Sequence, residues 1–174
     1  NDKKYSFRLV NELFDNFSAD KAELASMVFD KCEDYMKINV IKAISEYRLS
    51  EFEPMYIEGM SSKNPAMRIA CVKALGDLAN PENEQLLITA TYDKDWVVRS
   101  SAVKGLGKIN TPKSLEGIKE AIKDKEWWVR QSAAGALINR NVSVSDIEDI
   151  LGGYDKYASD AVKYALYRSI DMKE

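Results

Sequence analysis

No histidine occurs among the 174 residues of the chain. That absence removes Ser-His-Asp and Cys-His triads, histidine-bound zinc and imidazole acid–base chemistry. Cysteine is scarce: Cys32 and Cys71 cannot build a disulfide framework, and neither belongs to a CxxC pair. Long apolar runs are missing too, since none approaches the roughly 20 residues of a membrane span. There is no basic surplus either. Acids number 28 against 25 bases, a formal charge of −3, which is the wrong sign for a dedicated duplex-DNA binder. The remaining balance, 45% hydrophobic and 30% charged, is that of a soluble globular protein with room for a real core. The chain opens on Asn1 rather than Met, and a processed or excised product is the expectation. Any upstream signal or anchor would lie outside this sequence, and a cytoplasmic location is the expectation.

The positive signal is repetition. Segments beginning at Pro65, Trp96 and Trp127 align without gaps, placing Arg68, Arg99 and Arg130 at steps of 31 residues. Leu75, Leu106 and Leu137 keep the same step. One period earlier Lys37 stands for the arginine and Ile44 for the leucine. Later, the segment from Lys156 fits after a two-residue deletion, with Ser159 in the arginine slot. A fixed period of this length marks a repeat architecture. Each unit reads as two helices. Val98, Ala102, Gly105, Leu106 and Ile109 line one face of the longer helix, and small residues (Ala74, Gly105, Ala136) recur there to let neighbours approach. The shorter helices are expected from Ser50, Pro81, Pro112 and Ser145, with Pro81 and Pro112 in first turns and Ser145–Glu148 as a capping box.

The pattern formed by Asp95, Val98, Arg99, Ala102, Gly105, Leu106 and Gly107 resembles a HEAT repeat. The short period is similar to the HEAT-like units of phycobilisome (bilin) lyases. The resemblance covers residues 62–140 best, 34–61 and 154–170 less well, and 1–33 poorly. It implies an all-α fold, a right-handed α-solenoid of about five helix pairs. We expect one domain over 1–174. Residues 1–33 would be N-terminal cap helices, 34–61, 62–92, 93–123 and 124–153 the repeats, and 154–174 a C-terminal half-repeat or cap.

Arg68, Arg99 and Arg130 could form a phosphate-binding column. However, Asp95 and Glu126 precede Arg99 and Arg130 by four residues, and Asp93 and Asp124 precede them by six. Inter-repeat ion pairs are therefore the expected use, and the HEAT resemblance implies the same ladder. Cys71 takes the slot of Ala102 and Ala133 and reads as a small buried hydrophobe. Acids flank Cys32 and disfavour a thiolate there. Asp146, Glu148 and Asp149 fit a solvated helix N-terminus rather than an acid–base pair. No catalytic residue, metal site or cofactor is expected.

Counted from the repeat leucine, offsets −9, −6, −5, −2 and +2 fall on the stripe opposite the buried face. The −2 column reads Lys42, Lys73, Lys104, Gly135, Tyr164, and the −9 column ends in Trp128 and Tyr157. Lys108 and Arg168 belong to the +2 column, and small residues (Ala70, Ser101, Ser132, Ala161) fill −5 as a floor. Trp96 and Trp127 share the first-turn slot of Pro65 and are expected to pack on the loop of an adjacent repeat. The leading reading is a non-enzymatic scaffold for another protein, contacted by Lys42, Lys73, Lys104, Lys108, Trp128, Tyr157 and Tyr164. The resemblance also implies two alternatives: a bilin lyase or cofactor-handling subunit, and a nucleic-acid-binding HEAT-like protein.

Overall fold

A computed structural model describes residues 33–48, 50–140, 142–153 and 156–171, together with Glu12 and Phe29. The expected cap over 1–33, and with it Cys32, otherwise lies outside the described residues. The described residues are mostly helical, and no strand occurs among them. We number their helices in chain order: α1 (Asp34–Glu46), α2 (Glu53–Gly59), α3 (Pro65–Leu78), α4 (Glu84–Ala90), α5 (Trp96–Leu106), α6 (Pro112–Ala121), α7 (Trp127–Asn139), α8 (Val144–Gly153) and α9 (Lys156–Asp171). The chain divides into two compact units, Asn1–Leu78 and Ala79–Glu174. The division falls between α3 and α4, the two helices expected to share the 62–92 repeat. There Ala79 sits at φ 53°, a left-handed conformation that ends a helix and is ordinarily left to glycine or asparagine.

Long and short helices alternate because their sequences ask for different surroundings. In α3 the residues Ala70, Cys71, Val72, Ala74 and Leu75 are all at most 5% exposed. Such a helix has neighbours on most sides. Within the first unit α1 and α2 both pack on α3. Within the second unit α5 packs on α7 and α7 on α9, while α4 and α6 cover α5 and α6 also covers α7. Val98, Leu106, Ile118, Val129 and Leu137 are essentially inaccessible between these layers, each contributing about 1.5–3 kcal/mol of apolar burial.

Caps start the short helices. Pro81 opens a 3-10 turn (Pro81–Asn83) rather than α-helix, and the Asn80 side chain accepts the Glu82 N–H at 3.1 Å. Thr111 and Ser114 form a reciprocal capping box on α6. The box expected at Ser145 and Glu148 forms two residues earlier. Ser143 Oγ accepts the Asp146 N–H at 3.1 Å and donates to its carboxylate at 2.7 Å. Lys119 of α6 explains the choice: its ammonium donates to Asp146 at 2.6 Å and fixes that carboxylate at the helix start.

Small residues set the helix spacing. A Cβ on Gly107 would stand 2.9 Å from the Ala136 Cβ, and one on Gly117 would crowd Leu106 and Ile88. In the first unit a Cβ on Gly59 would collide with the Cys71 sulfur. That thiol is buried, and burial pushes its pKa up to about 12, so it fills space as expected from its slot. Tyr56 beside it is fully buried, and burial raises its phenol as well, with Cys71 and Glu51 adding to the effect.

The Gly59–Cys71 contact predicts coupled substitutions. Gly59→Ala should cost about 1–2 kcal/mol, overpacking outweighing the gain in helix propensity. Cys71→Ala introduced alongside should recover most of that loss, a coupling of about 1 kcal/mol or more. Urea denaturation of the four members of the cycle measures it, and additive losses would contradict this packing.

Candidate interaction surface

The three arginines share one local geometry. Each Nη1 donates to the carbonyls six and five residues before it, in the loop leading into its own helix. Arg68 reaches Ser62 and Lys63 (2.9 and 3.3 Å), Arg99 reaches Asp93 and Lys94 (2.9 and 3.4 Å), and Arg130 reaches Asp124 and Lys125 (2.8 and 2.9 Å). The side of Arg99 facing the next repeat forks onto the Asp124 carboxylate, Nε at 2.7 Å and Nη2 at 2.9 Å. The arginines are only 6–8% exposed, which leaves no open column for phosphates.

The acids divide their work more finely than their spacing suggests. Asp124 is the inter-repeat partner and also accepts the Glu126 N–H at 2.8 Å. Asp95, four residues before Arg99, is instead the N-cap of α5 and accepts the Val97 N–H at 2.8 Å. Asp93 orients that cap by accepting the Asp95 N–H at 2.8 Å. Glu126 makes no capping bond and acts on Arg99 through its charge. The Arg130 guanidinium lies 5.3 Å from the centre of the Tyr157 ring. The residue one period after Asp124 is Asp155, which falls outside the described residues.

An open cleft of about 530 Å³ lies over the Arg99–Asp124 pair, lined by Tyr92, Lys94, Lys123 and Lys125 among others. Its central charges already satisfy each other. Among the described residues no cluster of histidine, cysteine, aspartate and glutamate could hold a metal ion. No described helix is long and apolar enough to cross a membrane.

A second network escaped the sequence reading. Arg140 donates to Ser114 Oγ (2.7 Å), Asn110 Oδ1 (3.1 Å) and the Thr111 carbonyl (3.0 Å). Thr111 also bonds Glu84, so the group ties the starts of α4 and α6 to the end of α7. Arg140 follows no 31-residue register, and the only signal for it was the Thr-Pro-x-Ser cap sequence at 111–114.

The expected contact residues are at the surface. Lys42 and Lys73 are exposed in the first unit, Lys104 and Lys108 in the second. Trp128, Tyr157 and Tyr164 are 58, 66 and 46% exposed. The −5 column is less open than the stripe suggested: Asn39, Ala70 and Ala161 are buried. Ser101 and Ser132 are half-buried and donate back to the Val97 and Trp128 carbonyls. This column is therefore the seam where long helices meet. Gly135 has nothing within 4 Å of where a Cβ would stand, so the surface is open above the middle of α7.

Trp127 makes ring contacts that its slot did not announce. Its ring meets Trp128 edge-on at 4.5 Å and Tyr164 of α9 at 6.0 Å, and it remains 42% exposed. The adjacent tryptophans diverge around the helix by about 100°, yet both belong to one partly exposed aromatic cluster. The Trp-Trp doublet was the legible clue. The slot alone gave no sign of the reach toward Tyr164.

Comparison with known proteins followed the geometry. A HEAT repeats model matches residues 22–100, 54–138 and 83–170. No curated protein matches the sequence. Among solved structures, the complex of CpcE and CpcF of phycocyanin lyase from Nostoc sp. PCC7120 is similar at 20% identity and a TM-score of 0.61, covering 83% of this chain and 97% of that one. At that identity the likeness concerns the fold.

The Arg99–Asp124 pair predicts acid sensitivity. Burial pushes the Asp124 carboxyl up, but hydrogen bonds from Arg99 and the Glu126 amide outweigh it and hold the pKa below the ordinary value. A depressed folded pKa gives stability that is complete above the unfolded value, about 3.9, and lost as pH falls through the folded one. Asp124→Asn should cost about 1.5–3 kcal/mol at neutral pH. Thermal melts should show the gap from the parent closing below about pH 4; a gap independent of pH would remove Asp124 as the titrating group.

Proposed function

This chain belongs to the HEAT-repeat family, and we propose that it is a non-enzymatic scaffold binding a segment of another protein along its repeat surface. The observation that carries this reading is the partly exposed cluster of Trp127, Trp128 and Tyr164 on α7 and α9. Large rings left accessible and held against one another form the kind of rigid anchor found at interface hot spots. Tyr157, stacked on the buried Arg130, extends the surface, and Lys104 and Lys108 supply its polar rim. Lys42 and Lys73 make a corresponding exposed pair on α1 and α3 of the first unit. The chemistry available elsewhere supports binding over catalysis: Cys71 is buried with a raised pKa, and the ladder carboxylate Asp124 is committed to Arg99.

The Nostoc neighbour favours a second reading, a cofactor-handling lyase subunit. Titrating the chain with a bilin distinguishes the two. The scaffold reading expects an unchanged bilin absorption spectrum, whereas a saturable spectral shift would establish the second.

Trp128→Ala combined with Tyr164→Ala should weaken partner capture by more than about 1 kcal/mol, roughly fivefold or more, while circular dichroism stays native. Quantitative pull-down with the parent and double variant checks this. Full affinity in a folded double variant would place binding elsewhere.

A further inference from the structure

Among the described residues of the Ala79–Glu174 unit, the long helices carry a basic excess. The long helices α5 and α7 contain no aspartate or glutamate. At their level the surface carries exposed Lys104 and Lys108, and the described side chains of α9 add exposed Lys156, Lys163 and Arg168 beside the exposed acid Asp160. The short helix α6 is mixed, with Lys113 and Lys119 beside Glu116 and Glu120, while α8 carries the exposed acids Glu148 and Asp149. The aromatic cluster and the open surface over Gly135 therefore belong to the cationic layer.

Resting on the scaffold reading, we propose that the occupant of this face is an acidic segment of another protein. Its aspartates and glutamates flank an aromatic or leucine side chain. The apolar residue seats against Trp127, Trp128 and Tyr164, where ring surface is exposed to water. The flanking carboxylates face Lys104, Lys108 and Arg168, whose attraction is strongest once the anchor excludes solvent. A cationic ligand on the same rings would meet Lys104 and Arg168, and α5 and α7 offer it no carboxylate. Gly135 leaves room for the segment's backbone to cross α7.

The test selects peptides of about 12 residues, a length typical of segment recognition, from a random display library on the immobilised full chain. Expected winners combine Asp/Glu with an aromatic or leucine and are lost on Trp128→Ala/Tyr164→Ala. A synthesised winner should bind at least about fivefold more weakly to Lys104→Glu/Lys108→Glu and weaken with added salt, measured by calorimetry. Winners that need Trp128 and Tyr164 but carry no acids would overturn the acidic occupant while leaving the scaffold reading intact. Winners indifferent to those two residues would overturn the face itself, and with it both readings. An oligothymidylate binding more tightly than the selected peptide would overturn the proposal in favour of a nucleic acid.

Discussion

A guanidinium shielded from solvent must spend its donors, because an uncompensated buried charge costs several kcal/mol. Here the same solution recurs three times: Nη1 of Arg68, Arg99 and Arg130 closes on two carbonyls of the loop just before its helix. That contact fixes the loop, and the loop fixes the entry of the long helix. Where the fork onto the next repeat is seen, Arg99 to Asp124, the acid is itself a loop residue whose carbonyl is held by Arg130. One arginine thus sets both the shape of its own turn and its distance from the following turn. Residues at the start of each long helix, including Trp127 and Trp128, inherit their placement from this chain of constraints.

Much of this was readable in residues. The 31-residue step identified the all-α repeat fold, and Cys71 declared itself a core residue by sharing a slot with alanines. The arginines were recognisable as structural, but spacing could not rank Asp95 against Asp124. Both lie near the loop, and only three-dimensional direction decides which carboxylate points along its own helix and which crosses to a neighbour. Capping failed for a related reason. Ser143 and Ser145 both suit a helix start, and the tie is broken by Lys119, a residue distant in sequence. Arg140 was invisible because it belongs to no register; its partners come together only when α4, α6 and α7 stack.

The surface was legible in kind but less so in grouping. Periodicity placed Trp128, Tyr157 and Tyr164 outward, and they are exposed. The same periodicity separated Trp127 from them, since a helical wheel assigns each residue one direction and ignores the length of an indole. A ring projecting from the first turn can lean toward the next helix and meet Tyr164. The small-residue column shows the converse effect: positions that a wheel calls exterior are covered once helices approach closely enough for Ser100 and Ser132 hydroxyls to bond at 2.8 Å.

The edge-on contact of Trp127 and Trp128 has a spectroscopic consequence. All three tryptophans of the chain, Trp96, Trp127 and Trp128, lie in the Ala79–Glu174 unit. Indole emission therefore originates in the Ala79–Glu174 unit, whereas the rings of the Asn1–Leu78 unit are phenylalanine and tyrosine. With exposures of 39, 42 and 58%, the indoles are partly hydrated in the folded state. The 4.5 Å ring separation instead couples the transitions of Trp127 and Trp128, giving an exciton couplet in circular dichroism. That couplet is a direct optical report on the aromatic face, independent of the helical signal from the rest of the chain.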